Sequence, residues 1–296
     1  MGWTPEFPNP ICVEAGHPEC RYFMAWLFSN ECHAGCPYCM MGTALTKWYP
    51  RQWSDAQAIR AWDQFADDHG SAVILFGGHE SGEHLPLVGR VVEDHWGIMV
   101  TNFTFDERVF CRLIPPGRMI LHPSFHAHLW GNEIEEFLAK IQRFRNRGYW
   151  VPVVSMACWP PLMDRLPAWR EQILAAGLSA NIHPLYNTSY QGRVLPDGYT
   201  PDELQQVKAL VPPCTYEDRI VRAPLKLKAC AAGHTAGGIT CDGSFARCVQ
   251  RTRAMGNFMG GDHVVFDEEP RPCDVAQCMC GNMGGYQIHE EAEETA

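Results

Sequence analysis

The sequence predicts an α/β protein, a partial (β/α)6 TIM-like barrel with a small cysteine-rich C-terminal extension. The first observation is that short apolar runs alternate with longer amphipathic segments, an order typical of parallel β/α units. The second is that chemically reactive residues follow the apolar runs, and functional groups gather at strand ends in such folds. We find six units, fewer than the eight of a closed barrel, so the barrel is expected to be partial.

The strands are predicted from short apolar runs and the helices from apolar residues at helical spacing. The predicted strands are 22–28, 72–76, 97–101, 119–122, 150–156 and 180–182. The predicted helices are 54–69, which begins at the N-cap Ser54, then 132–147, 164–176 and 200–210. The reactive groups at strand ends are the cysteines of 32–39, Gly77 to Glu80, Asn102, His122 to His128, Ser155 with Cys158, and His183 with Tyr186.

Composition narrows the class of protein. The chain has 296 residues, of which 46% are hydrophobic, so it can bury a full-sized core. The net charge of −10, with no run rich in Lys or Arg, disfavours a nucleic-acid substrate. No stretch approaches the roughly 20 apolar residues of a membrane-spanning helix, and residues 1–10 do not resemble a signal peptide. We therefore expect a cytoplasmic protein that does not enter a membrane.

The cysteine content indicates ligation. Cytosolic thiols are kept reduced, so a disulfide framework is not expected for the fourteen cysteines. Three of them lie at 32, 36 and 39, and six lie between 230 and 280. This distribution predicts two separate cofactor sites.

The first group lies in Glu31–Met40, ECHAGCPYCM, where the spacing brings three thiolates onto one tight loop. Three ligands for four irons leave one iron open, as a cluster needs if it binds a substrate. A zinc site is the alternative, with His33 as the fourth ligand. His33 adjoins Cys32, however, and is poorly placed to complete a tetrahedron.

The loop resembles the radical S-adenosylmethionine (SAM) signature CxxxCxxC, with an aromatic residue, Tyr38, before the last cysteine. The resemblance implies that Cys32, Cys36 and Cys39 hold a [4Fe–4S] cluster whose open iron binds SAM. It also implies reductive cleavage of SAM to a 5′-deoxyadenosyl radical that removes a hydrogen atom from the substrate. The electron would come from an external one-electron reductant such as flavodoxin or ferredoxin.

The same resemblance assigns residues to SAM. Gly77 and Gly78 are similar to the start of the GGE motif of the family, whose backbone binds the SAM amino group. His79 stands where the family usually has Glu, and Glu80 follows one residue later. The histidines at 122, 126 and 128 are interpreted as metal ligands or as core or surface residues. The residues assigned to SAM are Tyr38, Gly77, Gly78, Glu80, Asn102, Ser124 and Ser155.

The second group of cysteines surrounds a hairpin signal, Asp242-Gly243, which places Cys230 and Cys248 at the ends of a two-stranded unit. The region resembles the SPASM/Twitch extension of radical SAM proteins, and the resemblance covers about residues 20–285. It implies one auxiliary [4Fe–4S] cluster, with a zinc ribbon as the alternative. Cys241 is expected to pack in the core. The expected ligands are Cys230, Cys248 and two of Cys273, Cys278 and Cys280.

The predicted organisation has a boundary at Pro212-Pro213, beyond which glycine and cysteine replace the β/α pattern. Residues 1–20 are an irregular lead-in, 21–213 the radical SAM partial barrel, 214–285 the auxiliary cluster domain and 286–296 an acidic tail.

The reaction is predicted as net oxidation, because auxiliary clusters in the family are thought to accept an electron or to bind the substrate. Residues 192–200 resemble segments of radical SAM proteins found among sugar-pathway enzymes, which favours a small, sugar-like substrate, with a peptide as the alternative. Epimerisation is the rival reaction, with Cys158 as the hydrogen donor, although a free cysteine is often a core residue. A non-catalytic iron–sulfur electron carrier is a further alternative, which the three-cysteine site disfavours.

Overall fold

Six parallel strands in chain order form the centre of the protein. This computed structural model describes residues 22–27, 32–39, 51–78, 80–185, 188–211, 229–248, 254–271 and 287–288. β1 to β4 form one parallel sheet, β5 pairs with β6, and parallel bridges from Ile120 to Trp150 and from Ser124 to Ser155 join the two groups. The predicted partial barrel is confirmed. The strands are β1 (Tyr22–Leu27), β2 (Ala72–Gly77), β3 (Trp96–Thr101), β4 (Met119–Pro123), β5 (Val153–Ala157) and β6 (Ser179–His183).

Helices follow the strands in the described residues. α1 begins after the predicted N-cap: the Ser54 hydroxyl accepts the Gln57 N–H, and the Gln57 side chain accepts the Ser54 N–H. α2 and α3 were not predicted, because seven residues are too few to show a helical apolar repeat. The helices are α1 (Asp55–His69), α2 (Leu85–Val91), α3 (Glu107–Leu113), α4 (Ile134–Asn146), α5 (Leu166–Ala175) and α6 (Pro201–Leu210).

Two predicted boundaries move at prolines. β5 begins at Val153 rather than at 150, because Pro152 has no N–H to donate to a neighbouring strand. The helix predicted from 164 begins instead at Leu166, after a 3₁₀ segment over Pro160–Arg165. Pro167 fits only the first turn of a helix, which fixes that start.

Aromatic side chains fill the layer between the sheet and α1. Trp26 on β1 and Trp62 on α1 are fully buried, with ring centroids 5.4 Å apart. Phe65 and Phe76 extend the same layer. Full burial of a side chain of this size stabilises the fold by about 2–3 kcal/mol, so this layer fixes α1 against the sheet.

The C-terminal region continues the central sheet. β10 pairs with β1 in parallel, and β11 and β12 follow it in antiparallel order. The turn between β10 and β11 contains Asp242-Gly243, where the hairpin was predicted. Gly243 has φ +87°, a conformation that favours glycine. The remaining strands are a hairpin of β7 (Thr188–Tyr190) and β8 (Arg193–Leu195), then β9 (Ala229–Cys230), β10 (Ala236–Ile239), β11 (Ser244–Ala246), β12 (Ala254–Asn257) and β13 (Gln287–Ile288), which pairs with β9.

Among the described residues, no helix combines the length and the apolar character needed to cross a lipid bilayer.

Candidate active site at the carboxyl ends of the parallel strands

A cavity of about 290 Å³ lies at the carboxyl ends of the parallel strands. The loop after β1 and the ends of β2 to β6 supply its walls, since parallel strands present the same ends to one edge. Gly77 is not among the lining residues; it is buried at the end of β2, opposite Leu27. Gly78, with φ +101°, begins the turn into the cavity. The predicted site residues that line the cavity are Cys32, Cys36, Tyr38, Cys39, Gly78, Glu80, Asn102, Ser124 and Ser155.

The cysteine loop is folded by local turns. Gly35 has φ +55°, which favours glycine, and the Cys39 N–H donates to the Cys36 carbonyl at 3.1 Å. The Ala34 N–H lies 3.4 Å from Cys32 Sγ. These turns direct all three sulfur-bearing side chains to one cavity.

Burial disfavours ionisation of two of the three thiols. Burial and, to a smaller extent, negative charge on Cys39 and Cys32 together raise the pKa of Cys36 to about 12. Burial also raises the pKa of Cys32. Three thiolates therefore require a bound cation, because metal ions deprotonate their thiol ligands.

The donor set fits an iron–sulfur cluster. Cys32, Cys36 and Cys39 face one cavity, and a cluster distributes thiolate ligands over separate irons. Within the part of the chain that the structure describes, no three His, Cys, Asp or Glu side chains are gathered so as to hold a single metal ion.

His33 ties the cysteine loop to the neighbouring strand ends. Its Nδ1 and its backbone N–H both contact the carboxylate of Glu83, the latter at 3.0 Å. Its Nε2 lies 3.0 Å from Oγ1 of Thr104. His33 therefore positions the loop; its ring nitrogens contact these two side chains.

Two histidines that follow β4 contact the same loop. Nδ1 of His126 lies 3.0 Å from the Tyr38 hydroxyl oxygen and 3.6 Å from Cys36 Sγ. Its half-buried ring stacks on Tyr38, with centroids 5.7 Å apart, and burial lowers the pKa of His126 to about 4. His128 donates from Nε2 to the Ala34 carbonyl at 2.9 Å. The segment after β4 therefore contacts the cysteine loop twice, at the Ala34 carbonyl and beside Cys36 Sγ.

Glu80 is buried, with 4% of its surface exposed, and accepts three hydrogen bonds. One oxygen accepts from the Thr101 hydroxyl at 2.6 Å and from the Gly82 N–H at 2.8 Å. The other accepts from the Asn102 N–H at 2.6 Å. Burial raises the pKa of Glu80, and the hydrogen bonds partly oppose that effect. His79, its neighbour, lies outside the described residues.

Asn102 presents an unsatisfied donor. Its Oδ1 accepts from the N–H and the hydroxyl of Thr104, at 3.0 and 2.6 Å. Its Nδ2 is buried and has no hydrogen-bond partner among the described residues. A buried amide left without a partner costs about 1–3 kcal/mol, so a ligand that accepts a hydrogen bond here would offset that cost.

Ser155 lies between two imidazoles. Its hydroxyl oxygen is 2.8 Å from Nε2 of His122 on β4 and 3.1 Å from Nε2 of His183 on β6. All three residues line the cavity. A hydroxyl both donates and accepts, so this chain can pass a proton between the two rings.

Cys158 lies behind the cavity wall. Its side chain is fully buried, burial raises the pKa of the thiol to about 12, and Cys158 is not among the described residues that line the cavity. Its carbonyl accepts the Tyr199 hydroxyl at 2.7 Å. This geometry favours the core interpretation of Cys158, and its predicted role as a hydrogen donor stays a prediction.

Cys230 and Cys248 belong to an apolar cluster inside the barrel, where they pack with Phe23 and Ile120. Leu75 packs against the same cluster and also lines the cavity. The two cysteines thus belong to one cluster, and Leu75 connects that cluster to the cavity wall. Cys241 is buried, and its carbonyl accepts the Trp53 indole N–H at 3.0 Å. The other predicted ligands, Cys273, Cys278 and Cys280, lie outside the described residues, as does Tyr186.

Comparison with solved structures bears on the fold. The chain superposes on anSMEcpe with bound AdoMet (SAM) at a TM-score of 0.58 and 12% identity, over 82% of this chain and 79% of that one. It also superposes on Streptococcus suis SuiB bound to the precursor peptide SuiA. The TM-score is 0.54 and the sequence identity 11%, over 81% of this chain and 63% of SuiB. Both are radical SAM enzymes. The chain has the fold of the radical SAM enzymes. No family model matches the chain, and a search of curated proteins finds no match.

Sequence reasoning missed several residues of this site. Thr101 lines the cavity as the last residue of β3, and Glu83 holds His33 from the 3₁₀ turn after Glu80. Their only signal was proximity to a predicted strand end. His126 and His128 lie in a segment that is visibly rich in histidine, but its contacts with the cysteine loop depend on how the loop after β4 packs against the loop after β1.

Proposed function

We propose that this chain is a radical SAM enzyme that cleaves SAM reductively and oxidises a small, sugar-like substrate. One observation carries the proposal: the Cys32–Cys36–Cys39 loop faces the same cavity as polar groups from the ends of β2 to β6. The fold is shared with an enzyme solved with AdoMet bound, which supports SAM as the ligand.

Cys32, Cys36 and Cys39 would hold a [4Fe–4S] cluster, which supplies the electron that cleaves the C5′–S bond of SAM. The chain's own residues bind and orient SAM. A carboxylate has about four acceptor positions, so Glu80, which already accepts three hydrogen bonds, keeps one for the SAM amino group. The buried Nδ2 of Asn102 can donate to a SAM oxygen.

Net oxidation fits the residues around the cavity. A carbon radical that bears a hydroxyl group becomes a carbonyl when it loses one electron and one proton. The Ser155–His183 pair, backed by His122, offers an acceptor for the proton. For the electron we propose an auxiliary [4Fe–4S] cluster held by Cys230, Cys248 and two of Cys273, Cys278 and Cys280. Leu75 supports this arrangement, because it lines the cavity and also packs against the apolar cluster that contains Cys230 and Cys248.

Absence of cationic side chains supports a neutral substrate. Among the described residues that line the cavity there is no Lys or Arg, the side chains that bind phosphate or carboxylate groups strongly. Hydroxyl and imidazole groups lie there instead, and these suit hydroxyl groups of a sugar-like compound.

A peptide is the second candidate substrate. anSMEcpe has been solved with the Cp18Cys peptide, and SuiB with the precursor peptide SuiA. These observations concern those enzymes, and they favour testing peptides beside small molecules. A radical SAM epimerase and a peptide-modifying radical SAM enzyme are the alternative activities.

The experiment that tests the proposal mixes anaerobically reconstituted protein with SAM and dithionite. An enzyme of this class produces 5′-deoxyadenosine and methionine, and a reduced flavodoxin or ferredoxin should replace dithionite. An electron carrier would be reduced by dithionite and would leave SAM intact. Intact SAM in a sample with full iron content would contradict the proposed function.

A further inference from the structure

One nitrogen, Nδ1 of His126, is within reach of two groups of the cysteine loop. It lies 3.6 Å from Cys36 Sγ and 3.0 Å from the Tyr38 hydroxyl oxygen. The two neighbouring imidazoles have other partners: His128 donates to the Ala34 carbonyl, and His33 contacts Glu83 and Thr104.

The backbone around His126 holds the ring in this position. The Ser124 N–H donates to the Thr101 carbonyl at 2.7 Å, and the Phe125 N–H donates to the Ser155 carbonyl at 2.8 Å. The His126 carbonyl accepts the Leu129 N–H at 2.9 Å. Bonds on both sides of the residue, together with stacking on Tyr38, restrict how far the imidazole can move.

The identity of the donor depends on the state of Cys36. A neutral imidazole carries a proton on one nitrogen, and Nδ1 either accepts the Tyr38 proton or donates its own. A metal-bound thiolate is an acceptor and has no proton to give. Tyr38 can donate or accept, so it is compatible with both states. With Cys36 ligated to iron, the tautomer that gives the thiolate a donor carries its proton on Nδ1, and the Tyr38 oxygen then accepts from the same N–H.

We propose that His126 sets the reduction potential of the cluster held by Cys32, Cys36 and Cys39, by donating its Nδ1 proton to the Cys36 thiolate. The inference rests on the proposed function, since it requires that cluster. Reduction adds one electron and one negative charge to the cluster, and a donor at a ligand sulfur stabilises that charge. His126 therefore raises the potential and makes SAM cleavage accessible to weaker one-electron reductants. It is a positioning residue, because it acts through the cluster.

The test is an EPR-monitored redox titration of the reconstituted protein, with dithionite as the electron donor. SAM is added in a parallel series, because only the cluster that binds SAM changes its signal. His126→Gln places its amide near the Nε2 position, so the ratio of reduced to oxidised cluster at a fixed potential should fall about threefold to tenfold. A tenfold fall corresponds to about 59 mV for a one-electron couple. His126→Asn places an N–H near the Nδ1 position and should restore the ratio to within about twofold of wild type.

A matched control and a second measurement keep the test decisive. His128→Gln makes the same substitution at a histidine whose Nε2 donates to the Ala34 carbonyl, and its amide can keep that bond, so the ratio should stay within about twofold of wild type. Pulsed EPR of the reduced wild-type protein, labelled with ¹⁵N-histidine, should detect one weakly coupled histidine nitrogen.

An unchanged potential in His126→Gln with full iron content overturns the inference, and so does a failure of His126→Asn to restore the potential. If His126→Gln loses iron, its potential cannot be compared with that of wild type, and the pulsed EPR measurement decides. Absence of the coupled nitrogen in wild type then overturns the inference. Neither the potential nor the nitrogen coupling depends on SAM cleavage. A protein that binds iron but leaves SAM intact would therefore contradict the proposed function without deciding the role of His126.

Discussion

The carboxylate of Glu80 accepts the backbone N–H of Asn102 at 2.6 Å, which ties the end of β2 to the end of β3 beside the cysteine loop. Thr101 donates to the same side chain, so one buried carboxyl group is hydrogen-bonded by the last residue of β3 and the residue that follows it. This arrangement links stability to the geometry of the cavity.

Glu80→Gln should destabilise the fold at neutral pH by about 1–3 kcal/mol, because the amide NH₂ cannot accept the Asn102 N–H. Burial raises the pKa of Glu80, so the folded state binds a proton that the unfolded state has released. Stability of the wild type should therefore fall as pH rises from the ordinary glutamate pKa through the raised one. The advantage of wild type over Glu80→Gln should be larger at pH 4 than at pH 8.

Urea unfolding of the wild type and of Glu80→Gln at several pH values from about 4 to about 8 measures the difference in their free energies of unfolding. Glu136→Gln, which changes an exposed glutamate on α4, is the matched control and should shift stability by less than about 0.5 kcal/mol. An advantage that grows with pH would contradict the raised pKa.

Asn102→Asp should weaken SAM binding by about fivefold to tenfold, the equivalent of one hydrogen bond. The substitution keeps an oxygen for Thr104 and replaces the unpartnered Nδ2 with an acceptor. Calorimetric titration of reconstituted protein with SAM measures the affinity. Equal affinity in the two proteins would show that Nδ2 does not contact SAM.

Simultaneous substitution of Cys32, Cys36 and Cys39 by Ala should remove about four of the roughly eight irons expected for two clusters, and all SAM cleavage. Iron analysis and 5′-deoxyadenosine assay are the measurements. Cys111→Ala, which changes a half-buried cysteine of α3, is the control and should retain the full iron content and SAM cleavage. Continued formation of 5′-deoxyadenosine by the triple variant would show that the first site is assigned wrongly.

Cys230→Ala or Cys248→Ala should release the second metal and destabilise the surrounding region, because ligation energy contributes to folding there. SAM cleavage without substrate should survive in part, since these side chains lie in the apolar cluster behind Leu75. Metal analysis of anaerobically prepared wild type distinguishes the two interpretations of this site. Zinc in place of iron would reject the auxiliary cluster in favour of a zinc ribbon.

Cys158→Ala should leave turnover nearly unchanged if the reaction is oxidation, because the thiol is buried behind the wall of the cavity. The product formed in heavy water should then carry no deuterium at the abstracted position. An epimerase would instead incorporate one deuterium from an exchangeable thiol, and Cys158→Ala would abolish its product. Deuterium incorporation, with turnover insensitive to Cys230→Ala, would favour epimerisation over oxidation.

The order of the β/α units could be predicted because it depends on local patterns. The run at 72–76 gave β2 to within one residue, and Ser54 gave the start of α1. Strand ends could be inferred in turn, and parallel strands present those ends to one edge. Predicted groups as distant in sequence as Cys32 and Ser155 therefore line one cavity.

The sequence by itself determined which residues follow the strands, and only the tertiary structure decided which of them line the cavity and which contact one another. The pairing of β10 with β1, the donation from Thr101 and Asn102 to Glu80, and the contact of His126 with Cys36 all join residues far apart in the chain. Such contacts depend on strand register and on how loops pack, and no local periodicity encodes either. Cys158 illustrates the difference: its position after β5 suggested the cavity, whereas packing behind the wall buried its thiol.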